Sequence, residues 1–212
     1  MLMNYFKKLI YTIAVIASFS SNAGSFEDFF VAIRNDNAGI VNGLLDRGFD
    51  PNTRDEKGQP GLTIAMQEHA LNVARALLAR PGIDINALNQ AGESALMMAA
   101  LKGDLSGAQL LLERGAKVNQ PGWSPLHYAA TGRETKLVQL LLDRGAEIDA
   151  ASPNGSTPLM MAAQYGSEDS VKLLLARGAD AKRRNQLDLN VIDFARRAGR
   201  AALVEQLEQS LR

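Results

Sequence analysis

Residues 25–212 carry short apolar segments at helical spacing, separated by polar turns that contain glycine. In "SVKLLLARG", Leu174 and Leu175 follow Val171 at spacings of three and four residues, which predicts a helix with one apolar face. Alanine and leucine dominate the apolar positions, while aromatic residues make up only 6% of the chain. This composition also favours helices.

Specific residues mark the ends of these segments. Ser124–Pro125 and Thr157–Pro158 predict helix starts, because the hydroxyl caps free N–H groups and proline fits the first helical turn. Three glycines are predicted to end helices in the left-handed conformation: Gly103, Gly166 and Gly199.

One motif recurs about every 33 residues, as "PGLTIAM", "SALMMAA", "SPLHYAA", "TPLMMAA" and "NVIDFAR". A weaker copy, "FEDFFVAI", comes first, and a second apolar block such as "LLLERGAKVN" follows most of the starts. One such unit cannot bury its apolar face alone, so the repeat predicts a stack of units with one continuous core. The equivalent positions are 34, 30, 33 and 33 residues apart, at Leu62, Leu96, Leu126, Leu159 and Ile192.

The motifs "SPLHYAA" and "LLLDRGAEID", with their period near 33 residues, resemble the ankyrin repeat. The resemblance implies an all-α solenoid of about six stacked helix-turn-helix units, joined by protruding β-hairpins or turns called fingers. It gives His127 a structural role, a hydrogen bond to the backbone of the neighbouring loop, and places Ser124, Pro125, Leu126, Thr157, Pro158 and Leu159 in the same structural motif. The predicted domain spans 24–212, with units near 25–57, 58–91, 92–121, 122–154, 155–187 and 188–212.

The middle of the array departs from the repeat. The finger in "VNQPGWSPLH" has three fewer residues than the pattern predicts, so we expect it to be stunted. Arg133 stands where a helix-ending glycine is expected, with Gly132 one position earlier. Two interpretations remain open: tolerated variation in loops, or a notch shaped for a partner.

The first 23 residues have a different character. Lys7 and Lys8 precede the apolar run "LIYTIAVIASF", and the small residues of "SNA" follow. This order predicts a secretory signal peptide cleaved after Ala23, because the apolar run is short for a bilayer span. We therefore expect the mature protein in a bacterial periplasm. A location outside the cell is the less favoured alternative. The alternative is an uncleaved N-terminal anchor.

Composition narrows the function. The chain has no cysteine, which excludes disulfides and thiol chemistry. Removal of the predicted signal peptide leaves 21 basic and 23 acidic residues, so the charge does not indicate nucleic-acid binding. No basic amphipathic stretch indicates membrane binding after cleavage. We expect the protein alone to be monomeric.

The candidate chemistry is sparse. The two histidines, His69 and His127, do not form a zinc-binding motif, and the Ser124–His127 pair has no G-x-S-x-G context. The "D-x-N" sequences at Asp50 and Asp84 lack the further ligands of a calcium loop. We predict no catalytic residue, no metal and no cofactor. A hydrolase or metalloenzyme is the remote alternative.

The resemblance implies a concave face made by the fingers and the exposed side of the first helix of each unit. The exposed apolar members of that face are the best candidate anchors, since tryptophan and tyrosine dominate interface energetics. Trp123 has a second interpretation, as a cover for the shortened finger. Ser156 belongs to the same predicted surface. The candidate partner-binding residues are Glu93, Leu101, Lys102, Trp123, Thr131, Asn154, Gln164, Tyr165 and Arg197.

A row of large side chains directly follows the histidine position of each unit: Ile64, Met98, Tyr128, Met161 and Phe194. Packing between adjacent helices is the favoured interpretation of this row, and an apolar binding stripe is the alternative. The function predicted overall is non-enzymatic binding of a partner protein in the periplasm, as an accessory or stabilising factor for an enzyme. The alternative role is an immunity-type inhibitor of a toxin or effector. We expect Trp123→Ala to leave the melting temperature nearly unchanged while weakening binding.

Overall fold

The computed structural model describes residues 24–210. The predicted signal peptide and its cleavage point after Ala23 lie outside the described residues, so both stay predictions. Within 24–210, no helix combines the length and the apolar character that a membrane crossing requires.

The described residues form twelve helices, which follow one another in pairs. Helix α1 covers residues 24–34. The others are α2 (Ala38–Asp46), α3 (Gly61–Gln67), α4 (Leu71–Leu78), α5 (Ala95–Lys102), α6 (Leu105–Glu113), α7 (Pro125–Thr131), α8 (Thr135–Asp143), α9 (Pro158–Tyr165), α10 (Glu168–Ala176), α11 (Val191–Arg197) and α12 (Ala201–Ser210).

The pairs stack into two rows. The inner row is formed by the odd-numbered helices, where α3 packs on α5, α5 on α7, α7 on α9 and α9 on α11. In the outer row, α2 packs on α4, α4 on α6, α6 on α8 and α8 on α10. Small side chains at one repeated position let the inner helices approach closely. These are Ala65, Ala99, Ala129, Ala162 and Ala195, each at most 2% exposed. The predicted all-α repeat solenoid is confirmed.

The inner helices end in two different ways. Gly103 and Gly199 have the predicted left-handed conformation, with φ of 68° and 69°. The prediction for Gly166 is wrong, because its backbone is extended, with φ −84° and ψ −174°. Gly166 is needed for another reason: a Cβ there would meet the carbonyl oxygen of Ala130 in the preceding unit. Close packing of two units, and not a left-handed turn, therefore requires glycine at this position.

Five fingers connect the units, over residues 50–60, 84–94, 117–124, 149–157 and 180–190. A backbone hydrogen bond closes four of them, such as the 2.9 Å bond from Asn89 N–H to the Glu93 carbonyl. Residues 117–124 contain no equivalent bond, so the third finger is stunted as predicted. No strand forms within 24–210, where the fingers are turns apart from one isolated bridge, Arg54 with Pro60.

Asparagine side chains tie successive fingers together. Asn119 Nδ2 donates to the carbonyl oxygen of Gly145 at 2.9 Å, and its Oδ1 accepts from Glu147 N–H at 2.9 Å. Asn52 makes the same pair of bonds two fingers earlier, to Gly82 and Asp84. The asparagines at this finger position therefore act as braces between units, because the amide supplies both a donor and an acceptor.

Candidate partner-binding site

Ser124 and His127 look reactive in sequence but lie buried at the start of α7. The Ser124 N–H donates to Nδ1 of His127 at 3.1 Å, and the Ser124 hydroxyl lies 2.8 Å from the same nitrogen. Because Nδ1 accepts a hydrogen bond, Nε2 carries the proton, and Nε2 lies 3.0 Å from the Ser156 carbonyl oxygen. This is the loop hydrogen bond that the resemblance implied. Burial lowers the pKa of His127, which keeps the ring neutral.

The other histidine, His69, is exposed, and its Nδ1 lies 3.5 Å from Asp104 Oδ2. Asp104 uses its other carboxylate oxygen to accept the Gly107 N–H at the start of α6. Nowhere in residues 24–210 do three histidine or carboxylate side chains come together as a metal site. The polar groups near both histidines thus serve helix capping and unit packing.

A small pocket opens where the inner helices of the third, fourth and fifth units meet. Its volume is about 210 Å³. Trp123, which lies at the end of the shortened third finger, is part of its lining. Its lining residues are Leu101, Trp123, His127, Tyr128, Thr131 and Met161.

Trp123 forms one wall of this pocket and is half-buried. Its ring meets the His127 ring edge-on, with centroids 5.3 Å apart and an interplanar angle of 77°. A second edge-on contact, at 6.5 Å, joins it to Tyr128. The tryptophan therefore covers the shortened finger and also presents part of its surface to the pocket.

Tyr128 is fixed by a bond to the preceding unit. Its hydroxyl donates to Glu93 Oε1 at 2.8 Å, and Glu93 Oε2 accepts from Asn89 Nδ2 at 2.8 Å. Burial and the Glu93 carboxylate both raise the pKa of Tyr128, so its hydroxyl stays protonated. These two hydrogen bonds link the second finger to α7, at the place where the third finger has no closing backbone bond. Both carboxylate oxygens of Glu93 therefore accept hydrogen bonds from groups of the protein itself.

The remaining predicted residues differ in exposure. Leu101 and Tyr165 are 46% and 59% exposed, which is unusual for large apolar side chains. Thr131 is half-buried, and its hydroxyl donates to the Tyr128 carbonyl oxygen at 2.7 Å. Gln164 is half-buried, while Lys102, Asn154 and Arg197 are exposed.

Ser156 was predicted to be part of this surface, and that prediction is wrong. The residue is 1% exposed, and its hydroxyl accepts from Asn185 Nδ2 at 3.2 Å. The side chain of Asn154 also bonds within its own finger, since its Oδ1 accepts from the Ser152 hydroxyl at 2.6 Å. The fourth finger therefore uses these polar side chains for its own shape.

Two of the residues that line the pocket, Tyr128 and Met161, belong to the row that the sequence analysis predicts to pack between helices. Their repeat equivalents Ile64, Met98 and Phe194 are buried, at 7% exposure or less. Tyr128 and Met161 remain half-buried, since they flank the shortened finger. The signal that distinguishes them is the deletion beside them and not their residue type.

A larger cavity of about 560 Å³ lies between α1 and the first finger. It is lined by both apolar and charged side chains, including Phe30, Arg34 and Asp55. Because α1 adjoins residues outside the described range, the surroundings of this cavity are described only in part.

Stacked helix pairs, projecting fingers and a pocket of side-chain size define a repeat scaffold that interacts through its surface. The family model for ankyrin repeats, in three copies, matches residues 29–122 and 118–185. The chain therefore belongs to the ankyrin repeat family, whose repeats are protein–protein interaction modules.

Two curated proteins are similar in sequence. An ankyrin repeat-containing protein of Treponema pallidum (strain Nichols) is 36% identical over 171 residues, which cover 80% of this chain and 47% of that protein. The transient receptor potential cation channel subfamily A member 1 of Homo sapiens is 28% identical over 147 residues, covering 64% of this chain and 13% of the channel. The chain thus spans about half the length of the first relative and a small part of the second.

A solved structure has the same fold. The chain matches, at a TM-score of 0.76 and 25% identity, a chain in the complex of the predatory endopeptidase Bd0816 from Bdellovibrio bacteriovorus with immunity protein Bd3460. The match covers 86% of this chain and 97% of the other.

Proposed function

We propose that this protein binds a partner protein through the central pocket and the exposed residues around it. The observation that carries the proposal is the pocket itself, with Leu101 exposed at its edge and Trp123 held rigidly in its wall. A preformed surface loses little conformational entropy on docking, so a small number of apolar contacts contribute effectively to affinity. Binding requires no catalytic group from this chain.

The proposed compartment is the bacterial periplasm. Support comes from the order of basic, apolar and small residues in the first 23 positions. Mass spectrometry of the protein purified from a bacterium that expresses the full chain tests this point. We expect the mature protein in the periplasmic fraction, with Gly24 as its first residue. Recovery of the intact chain from the cytoplasm contradicts the proposal.

Two roles fit a protein that binds an exported enzyme. The sequence favours an accessory factor that stabilises the enzyme. The likeness to a chain in the complex of an endopeptidase with its immunity protein favours the second role, an immunity-type inhibitor. We give the second role equal weight because that match covers nearly all of the other chain, 97%.

Capture from periplasmic extract tests the proposed surface. Leu101→Asp places a charge at the pocket edge, and Ile40→Asp is its matched control on α2, where Ile40 is 49% exposed. We expect the wild type and Ile40→Asp to retain the same partner equally, and Leu101→Asp to lose it by about tenfold or more. Equal recovery by all three proteins rules the pocket out.

The captured partner then separates the two roles. Purified protein is added to the partner at equimolar concentration, and the partner's activity and thermal stability are measured. Higher stability with retained activity supports the accessory role. Loss of activity that Leu101→Asp does not reproduce supports the immunity-type role.

A further inference from the structure

We infer that the central pocket recognises a partner segment with one large apolar side chain beside an acidic residue. The inference rests on the proposed function, since it specifies the chemistry of the partner at the same pocket. Its three supports are the size of the pocket, its mostly apolar walls, and the unpaired cations at its edge.

The size fits one side chain. Pockets for drug-sized molecules have volumes of about 300–1,000 Å³, whereas this pocket has about 210 Å³. It is also open to solvent. A single large aliphatic or aromatic side chain, presented by a protein loop or an extended segment, matches this space.

The walls of the pocket are mostly apolar. The Tyr128 hydroxyl donates to Glu93, and the Thr131 hydroxyl donates to the Tyr128 carbonyl oxygen. The two ring nitrogens of His127 are both engaged, by Ser124 and by Ser156. A polar side chain that enters would lose water and meet mainly apolar surface, which is costly, so the pocket favours apolar groups.

A row of side chains beside the pocket contains a gap. Lys102, Gly132 and Tyr165 occupy the same position on successive inner helices, six residues after Leu96, Leu126 and Leu159. Gly132 has no side chain, so the middle position of this row is empty between two exposed side chains. Thr131, which directly precedes Gly132 in sequence, lines the pocket, so a side chain of the partner would enter beside this gap.

Two unpaired positive charges lie near this edge. Lys102 and Arg133 are exposed, and neither forms an ion pair within residues 24–210. The nearby carboxylates bond to groups of the protein itself: Glu93 accepts from Tyr128, Glu134 caps α8, and Glu168 lies 3.8 Å from Arg200. Glu93 and Glu134 keep their negative charge, because their donors are neutral. Glu68 is the exposed acid of the preceding unit, at the position equivalent to Lys102. The unpaired positive charge therefore lies on the C-terminal side of Leu101.

An acidic residue of the partner complements these cations. Exposed charges are screened by salt over about 8–10 Å, so the acidic residue contributes mainly to selectivity and the apolar side chain to affinity. Lys102 directly follows Leu101, which lines the pocket. It is the residue whose charge we expect to decide the preference.

Selection from a random heptapeptide display library on the full-chain protein, with counter-selection on Leu101→Asp, tests the inference. We expect enriched peptides to carry one Leu, Ile, Met or Phe next to Asp or Glu. Trp123 is the only tryptophan of the chain, so its fluorescence reports directly whether an enriched synthetic peptide enters the pocket. Lys102→Glu should reverse the preference to a basic neighbour, with a change in relative affinity of about fivefold or more.

Three results overturn the inference: no enrichment over the counter-selected variant, enrichment of basic or purely polar peptides, or peptides that leave the Trp123 emission unchanged. Leu101 and Lys102 are exposed, and circular dichroism of both variants checks that the helices remain. If partner capture depends on Leu101 while the peptides are basic, the proposed function stands and this inference fails. If the peptides are acidic and apolar but no partner is captured, the pocket chemistry stands and the proposed function fails.

Discussion

Nε2 of His127 lies 3.0 Å from the carbonyl oxygen of Ser156, and both residues are buried. This bond ties the inner helix of the fourth unit to the fourth finger, across 29 residues of sequence. On the opposite side of the ring, Nδ1 accepts the Ser124 N–H. One imidazole therefore fixes both the start of α7 and the position of the next unit.

Removal of the imidazole should weaken the stack. We expect His127→Ala to lower the free energy of unfolding by about 1–3 kcal/mol, because the Ser156 carbonyl oxygen and the Ser124 N–H lose their partner while buried. Urea unfolding followed by circular dichroism measures this loss. His69→Asn is the control, since His69 is exposed and asparagine tolerates its φ of 55°. An equal loss in the two variants would contradict the role assigned to His127.

The same histidine makes stability depend on pH. Burial lowers the pKa of His127 in the folded protein, whereas in the unfolded chain the pKa is near its ordinary value of 6.5. The unfolded state therefore binds more protons at acid pH, so the stabilisation is complete above about pH 6.5 and is lost as the pH falls toward the folded-state pKa. We expect the urea midpoint to fall between pH 7.5 and 5.5, and to fall less in His127→Gln. Parallel pH profiles for both proteins would exclude this explanation.

Gly166 and Gly132 provide a matched pair, since both have extended backbones. A Cβ at Gly166 would meet the Ala130 carbonyl oxygen of the preceding unit, whereas a Cβ at Gly132 lies 3.4 Å from the Ala129 carbonyl oxygen. We expect Gly166→Ala to destabilise by about 1–3 kcal/mol through overpacking, and Gly132→Ala by less. Thermal unfolding of both variants decides the comparison, and equal melting temperatures would contradict it.

Trp123→Ala should affect both binding and stability. The sequence alone predicts an almost unchanged melting temperature, but the ring is half-buried and contacts His127 and Tyr128. We therefore expect the free energy of unfolding to fall by about 1–2 kcal/mol, which is less than the roughly 3–5 kcal/mol for a fully buried aromatic residue. Calorimetry measures the stability, and titration of the captured partner measures the affinity. Leu101→Asp should weaken binding with a smaller change in stability, which separates the two effects.

Arg200 should stabilise the last unit. Its Nη1 lies 3.1 Å from the carbonyl oxygens of Ala162 and Ala163 and 3.0 Å from that of Gly166, at the C-terminal end of α9. A positive charge is favourable at a helix C-terminus, and it also satisfies carbonyl groups that have no partner within the helix. We expect Arg200→Ala to increase hydrogen exchange in α11 and α12 while α3 to α7 remain protected. The exposed Arg197→Ala is the control, and similar exchange in both variants would contradict the proposed role.

The repeat made most of the architecture predictable. Ser124, Pro125 and His127 belong to a known repeat motif. The capping preference of serine and the fit of proline in the first helical turn were sufficient to place them at the start of a helix. The shortened third finger was visible as missing residues between Asn119 and Ser124. Gly166 was assigned wrongly because it has the same repeat position as Gly103, while its environment is set by Ala130 of another unit.

The sequence by itself determined the helices, their order and the units that stack, because apolar spacing, capping residues and turn glycines act within a few residues of the chain. Only the tertiary structure decided how Tyr128 and Met161 differ from the buried residues at the same repeat position. It also decided that Ser156 is buried and that Trp123 is both a packing residue and a pocket wall. These outcomes depend on which side chains of neighbouring units meet, and a deletion of three residues in one finger changes those contacts without changing the local pattern.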